Sequence, residues 1–275
     1  VSTFDGFYFG RLLQQASRQT ESHGKQLIVT DGHDTPERER EAVQMLADRQ
    51  CDAIILYTRH MSERAIMALI DSISVPLVVI NRDVKDARER CVFFEQQDAA
   101  FQAVEYLIAQ GHREIACITV PLSTPTGQAR LQGYRAALEK HGIAWDEDRV
   151  RNGDSTMTRG YELCNALLES GTRFSALFTC NDDMALGASK AIYQAGLRIP
   201  QDISLFGFDD APSARWLEPG LSTVYLPIDN MIMTAIDQAI KFASDSPLQP
   251  IPPFTGTLVL RESVATGPWY RDPAA

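Results

Sequence analysis

Short apolar runs alternate with helical stretches along this chain, and that alternation limits the possible folds more than any other feature. The runs lie at 26–30, 53–57, 76–80, 92–94, 115–120, 176–179, 203–208, 223–226 and 257–260. Several are continuously apolar, as strands covered on both faces are. Helical signals fall between them. Phe9, Leu12, Leu13 and Ala16 share one face, and Gly24 stops that helix. Thr35-Pro36-Glu37 reads as a helix start, with a cap, a first-turn proline and an early acid. Phe101, Val104, Leu107 and Ile108 form a stripe closed by Gly111, and Leu131, Tyr134 and Leu138 one closed by Gly142. A further helix over 186–192 ends at Gly196. Regular β-α alternation implies parallel sheets with right-handed crossovers.

Two sheets suit 275 residues better than one. Several βα units precede residue 120 and another set follows; a helix over 229–243 and a proline-rich run over 247–253 lead into the last strand. A chain that builds two lobes and crosses between them repeatedly leaves a cleft and a hinge. The first element, a helix from Phe9, has no strand before it. In a flavodoxin-like sheet the first strand is central, so the expectation is a native protein that extends upstream.

Composition narrows the function classes. With 44% apolar residues the chain can bury a real core. A net charge of -10 argues against this segment gripping a phosphate backbone by itself. No apolar run reaches membrane-span length, and the opening Val1-Ser2-Thr3-Phe4-Asp5 does not read as a signal peptide. The five cysteines, at 51, 91, 117, 164 and 180, are scattered and odd in number. That pattern suggests a reducing cytoplasm, with neither a disulfide framework nor a metal cluster. Dinucleotide, Walker A, Gly-x-Ser-x-Gly and His-Glu-x-x-His motifs are all missing, so no nucleophile or catalytic base stands out. His112 and His141 sit beside stop glycines, where an imidazole can favour a helix C-terminus.

Short polar groups placed after strands or at helix starts do stand out. Ser204 to Asp210 runs from an apolar strand into a glycine and two carboxylates. In open α/β sheets the carboxyl ends of strands face the ligand crevice, and a carboxylate such as Asp209 can accept from two sugar hydroxyls. An Asx turn or a cap would need the same residue types. Asn81-Arg82 follows 78–80, offering an amide and a planar fork of donors. Tyr8 and Phe9 open the first helix and can stack on a sugar face, or serve as core. The loop from Thr124 to Arg130 enters another helix, with Arg130 set on the face opposite Leu131 and Tyr134. Asn181-Asp182-Asp183 follows 176–179, with one of the three capping a helix. Amide, guanidinium and carboxylate groups with two aromatics suit an uncharged polyhydroxylated ligand.

The order and content of several motifs then resemble a family. They are Gly-His-Arg-Glu-Ile-Ala (111–116), Arg-Leu-Gln-Gly-Tyr (130–134), Cys-Asn-Asp-Asp-Met-Ala-Leu-Gly-Ala (180–188), Pro-Gln-Asp-Ile-Ser-Leu-Phe-Gly-Phe-Asp-Asp (200–210), Leu-Ser-Thr-Val (221–224) and Leu-Arg-Glu-Ser (260–263). Nearly the whole chain is similar to the effector-binding core of LacI/GalR-type bacterial transcription repressors, nearest the galactose-repressor members. The resemblance implies an α/β, periplasmic-binding-protein-like fold: two lobes, each with a parallel sheet flanked by helices, joined by three crossovers. One lobe would be 1–97 with 227–255, and the other 98–226 with 256–275. The opening strand and the N-terminal helix-turn-helix would lie outside this chain. Ligand contacts would fall on Tyr8, Phe9, Asn81, Arg82, Arg130, Asn181 and Asp209, and more weakly on Asp5, Thr124 and Gln128.

What the resemblance implies is a cytoplasmic, non-enzymatic homodimer. It would bind a small sugar or glycoside in the inter-lobe cleft, with no cofactor and no catalytic or metal site. Lobe movement would be coupled to operator DNA through the absent domain. A transport-type sugar-binding protein is the alternative. Ser155 stands where related binders place an aromatic, and Leu226 where many have a glutamine, so a relative's sugar does not transfer by name.

Overall fold

The structure is a computed structural model that describes residues 1, 6–33, 35–244 and 246–269. The chain divides into two compact units, Val1–Glu95 with Pro227–Phe254 and Gln96–Leu226 with Thr255–Ala275.

In the first unit, α1 (Gly6–Ser22), α2 (Pro36–Asp48) and α3 (Glu63–Ser72) accompany β1 (Ile54–Tyr57), β2 (Leu77–Ile80) and β3 (Cys91–Val92). The strands form a parallel sheet in the order β1-β2-β3. All four residues of β2 are buried, the continuous apolar run expected of a strand covered on both faces. Thr35 caps α2 by accepting from the Arg38 N–H, with Pro36 in its first turn. The core gathers Val43, Leu56, Ile66, Leu77 and Val79; fully burying such a side chain contributes about 1.5–3 kcal/mol.

The second unit holds α4 (Gln96–Ala109), β4 (Ile115–Thr119), α5 (Pro125–Lys140), β5 (Val150–Asn152), α6 (Met157–Glu169), β6 (Ala176–Thr179), α7 (Asp182–Gln194), β7 (Ser204–Phe206), β8 (Thr223–Tyr225) and β9 (Thr257–Val259). Its parallel sheet runs β5-β4-β6-β7, and β8 and β9 pair antiparallel. The last helix, α8 (Ile228–Ala243), returns to the first unit and packs beside α1. Arg11 of α1 there forks onto the Asp229 carboxylate, with Nε 2.7 Å from one oxygen. Gly133 settles how α5 meets α4. A Cβ there would lie 2.2 Å from the Gln97 carbonyl oxygen and 2.8 Å from the Phe101 nitrogen, so the close crossing admits only glycine.

Several expectations need correcting. The run at 26–30 joins no ladder among the described residues: Leu27, Ile28 and Val29 are 40%, 48% and 38% exposed. A groove of about 570 Å³ lies beside the run, lined by Leu12, Ala16, Ile55, Ile232 and Val29 among others. Among the described residues, Val1 bonds to the far end of the run. Its ammonium donates to the Thr30 carbonyl at 3.1 Å, and its carbonyl accepts from the Gly32 N–H at 2.7 Å. Strand β5 carries no apolar signal, because Val150-Arg151-Asn152 is short and polar. Arg130 does not face away from Tyr134: both are buried, one turn apart on α5. His112 is no charged helix-end group. It lies buried between the Ser175 hydroxyl and the Ala265 carbonyl, at 2.9 and 3.0 Å, and burial holds its pKa below the usual imidazole value. No helix among the described residues is long and apolar enough to cross a membrane.

Candidate functional site

Each unit gathers part of the residue set that the sequence singles out. In the second unit, the ends of β6 and β7 and the first turns of α4 and α5 converge on Arg130. Its Nε–H donates to the Gln96 side-chain oxygen at 2.8 Å, and an Nη1 hydrogen to the Cys180 carbonyl. The guanidinium carbon lies 3.7 Å from the centre of the Phe208 ring, a cation–π stack. Nη2 reaches the Asp209 carboxylate at 3.4 Å, with side chains only 6% and 15% exposed. Arg130 is thus fixed on four sides by its own unit.

Asp209 is the less comfortable partner. Its φ is 111° and that of Asp210 is 51°, left-handed conformations that non-glycine residues adopt rarely. Its backbone N–H donates to the Val224 carbonyl at 2.9 Å, tying the loop after β7 to β8. Burial pushes its pKa up to about 6; Arg130 opposes that rise, and Asp183 adds to it. A carboxylate held ionised at neutral pH against such a shift carries a cost that folding does not recover.

The other predicted residues of this unit are engaged in local structure. Asn181 caps α7, accepting from the Met184 N–H at 3.0 Å, and it donates to the Ser155 carbonyl at 2.9 Å. Ser155 itself has φ 76°. Thr124 caps α5, accepting from the Gly127 N–H at 3.1 Å and donating to the Pro121 carbonyl at 2.7 Å. Gln128 is exposed and donates to the Leu122 carbonyl at 3.0 Å. Leu226 is buried.

In the first unit, three aromatic rings cluster at the start of α1 and the end of β1. Tyr57 lies 5.0 Å from Phe9 and 5.8 Å from Tyr8, centre to centre, and Tyr8 and Phe9 meet edge-on at 5.3 Å. Phe9 is 2% exposed, so Tyr8, half-buried, is the more accessible of the pair. Asn81, at φ 63°, donates its side-chain amide to the Tyr57 hydroxyl at 3.1 Å. Arg82 donates to the Met61 carbonyl at 2.9 Å, and burial lowers its pKa against the pull of Glu63 and Glu39. Asp5 lies outside the described residues.

Gln96 and Tyr57 are residues that pattern reading passes over, while Phe208 and Asp182 lie in singled-out stretches without being assigned a part of their own. Gln96 and Tyr57 carry no motif, since their roles come from tertiary packing alone. Asp182 sits inside Asn181-Asp182-Asp183; Asn181 takes the cap, and Asp182 turns inward to 1% exposure. Among the described residues no cluster of three or more His, Cys, Asp or Glu side chains could hold a metal ion.

Comparison with known proteins gives a consistent answer. Residues 3–254 match the family described as periplasmic binding proteins and sugar binding domain of the LacI family. The HTH-type transcriptional regulator AscG of Escherichia coli K12 is 40% identical over 261 residues, covering 95% of this chain and 78% of AscG. The crystal structure of the E. coli repressor ascG superposes with a TM-score of 0.88 at 40% identity, over 94% of this chain and 95% of that one. A complex of the transcriptional regulator CelR with cellobiose gives a TM-score of 0.83 at 27% identity, over 93% of this chain and 79% of that one. The chain therefore has the periplasmic-binding-protein-like fold, and it belongs to the LacI family of transcriptional regulators, of which it forms the ligand-binding core.

Proposed function

We propose that this core senses a small neutral sugar or glycoside for a bacterial repressor that binds operator DNA through a separate N-terminal domain. The ligand would be shared between two lobes, 1–97 with 227–255 and 98–226 with 256–275. Tyr8, Asn81 and Arg82 would contribute from the first; Arg130, Asn181 and Asp209 from the second; Phe9, Thr124, Gln128 and Asp5 would play lesser parts. The reading assigns no catalytic role and places the protein in the cytoplasm as a homodimer. The net charge of -10 fits a core that leaves DNA contact to another domain.

The observation that carries the reading is the Arg130–Asp209 pair. A fork of donors lies 3.4 Å from a partly accessible carboxylate on a left-handed backbone. Such a pair offers donors and acceptors to vicinal hydroxyls, and a ligand lacking one hydroxyl would leave a buried group unpaired. The named complex of CelR with cellobiose supports a sugar. A bound ligand changes the equilibrium between lobe arrangements only by its differential affinity for them.

Thermal unfolding with D-galactose, cellobiose, methyl β-D-glucoside, glucose 6-phosphate and hypoxanthine tests this. A ligand at one hundred times its Kd stabilises the fold by about 2.7 kcal/mol. The expected result is a raised midpoint with a neutral sugar. A rise only with the phosphate or the purine would refute the neutral-polyol reading.

A further inference from the structure

Behind Asp209 lies a second carboxylate to which no ligand contact is assigned. Asp182, in the first turn of α7, is 1% exposed. One of its oxygens accepts from the Thr223 hydroxyl at 2.7 Å, and the other from the Ala211 backbone N–H at 2.7 Å. Thr223 in turn accepts from the Asp210 N–H at 3.4 Å. Gly207 makes room for this arrangement, because a Cβ there would lie 2.2 Å from an Asp182 oxygen. Asp210 is anchored separately, its carboxylate 2.6 Å from an Arg261 Nη2. Between these ties the backbone of Asp209 and Asp210 is held left-handed. That conformation is strained for a residue with a Cβ and persists only where its surroundings over-determine it.

We propose that Asp182 is a positioning residue for effector binding: it clamps the loop 207–211 onto β8 and so sets the Asp209 carboxylate beside Arg130. The inference rests on the reading of Asp209 as a ligand group. Burial and the neighbouring Asp209 both push the Asp182 pKa well above the usual carboxylate range. Burying a carboxylate is costly unless its hydrogen bonds repay it. Here both bonds go to the segment that carries, or braces, Asp209.

Two measurements on the chain separate positioning from plain stability. The first is amide hydrogen exchange of the wild type, Asp182→Asn, Gly207→Ala and Thr223→Val. Thr223→Val removes one bond to Asp182 without opening a hole, so it serves even if Asp182→Asn fails to fold. The expected result is at least tenfold faster exchange at 209–211, with β4 and α4 unchanged. The second is titration calorimetry with cellobiose and D-galactose. Thr223→Val should weaken by tenfold or more whichever of the two the wild type binds. Unchanged loop exchange in both Gly207→Ala and Thr223→Val would overturn the proposal. So would acceleration spread evenly through the unit, or faster loop exchange with unaltered sugar affinity. If the wild type binds neither sugar, the sugar reading fails on these probes, and the exchange result alone decides the role of Asp182.

Discussion

Asp209→Asn should make the protein more stable at neutral pH. Asp209 titrates near 6 in the fold, against an ordinary value of 3.8. At about 1.4 kcal/mol per pKa unit, keeping it ionised in the folded state costs about 3 kcal/mol. Asparagine keeps the shape and one acceptor oxygen. The 3.4 Å contact with Arg130 is already counted, because it opposes the burial that raises the value. The expectation is a gain of up to about 3 kcal/mol, a rise of several degrees in midpoint. The sign of the pH dependence follows from the raised pKa. Well below pH 3.8 the carboxyl is protonated both folded and unfolded, so the cost is absent. It grows as pH rises toward 6 and is complete above. Arg130, Asp183, Asp182 and Asp210 are the charged neighbours, and the substitution leaves all four in place. Thermal unfolding of both proteins at pH 4 and pH 7.5 is the assay. The midpoints should lie furthest apart at pH 7.5 and converge at pH 4. A lower midpoint for the variant at pH 7.5 would show that the pair with Arg130 holds the fold together, and the reasoning would be wrong.

Gly133→Ala should destabilise by about 1–3 kcal/mol, because its Cβ would meet the α4 backbone at 2.2 Å; an unshifted denaturant midpoint would mean that the helices separate freely. Arg130→Lys keeps the charge but loses the Nε–H bond to Gln96 and the stack on Phe208. It should remove sugar-induced stabilisation while the protein still unfolds cooperatively, and a loss of cooperative unfolding would instead make Arg130 structural. Trp216 is 83% exposed, so in the proposed homodimer it is a side chain with much area to gain from being covered. Sedimentation of Trp216→Lys should show monomer where the wild type shows dimer, and an unchanged dimer would place the interface elsewhere.

The sequence makes much of this fold legible because buried parallel strands announce themselves. Leu77-Val78-Val79-Ile80 and the Ile115–Thr119 run are apolar throughout, and glycines 111, 142 and 196 stop the helices where the stripes end. Polar residues at the ends of such strands, Asn81, Asn181 and Asp209, stand out for the same reason. What a one-dimensional pattern leaves open is which partner a polar group takes. Asn181 and Thr124 spend hydrogen bonds on helix caps. Gln96 and Asp182 matter only because α5 and β8 are folded against them. The run at 26–30 has strand composition, yet a strand also needs a neighbour, and among the described residues it joins no ladder.

Titration calorimetry of the wild type and Asp209→Ala, with whichever neutral sugar raises the melting midpoint, tests the central claim most directly. The account predicts one saturable site per chain in the wild type and no measurable binding by a variant that still unfolds cooperatively. Equal affinity in the two proteins would contradict it.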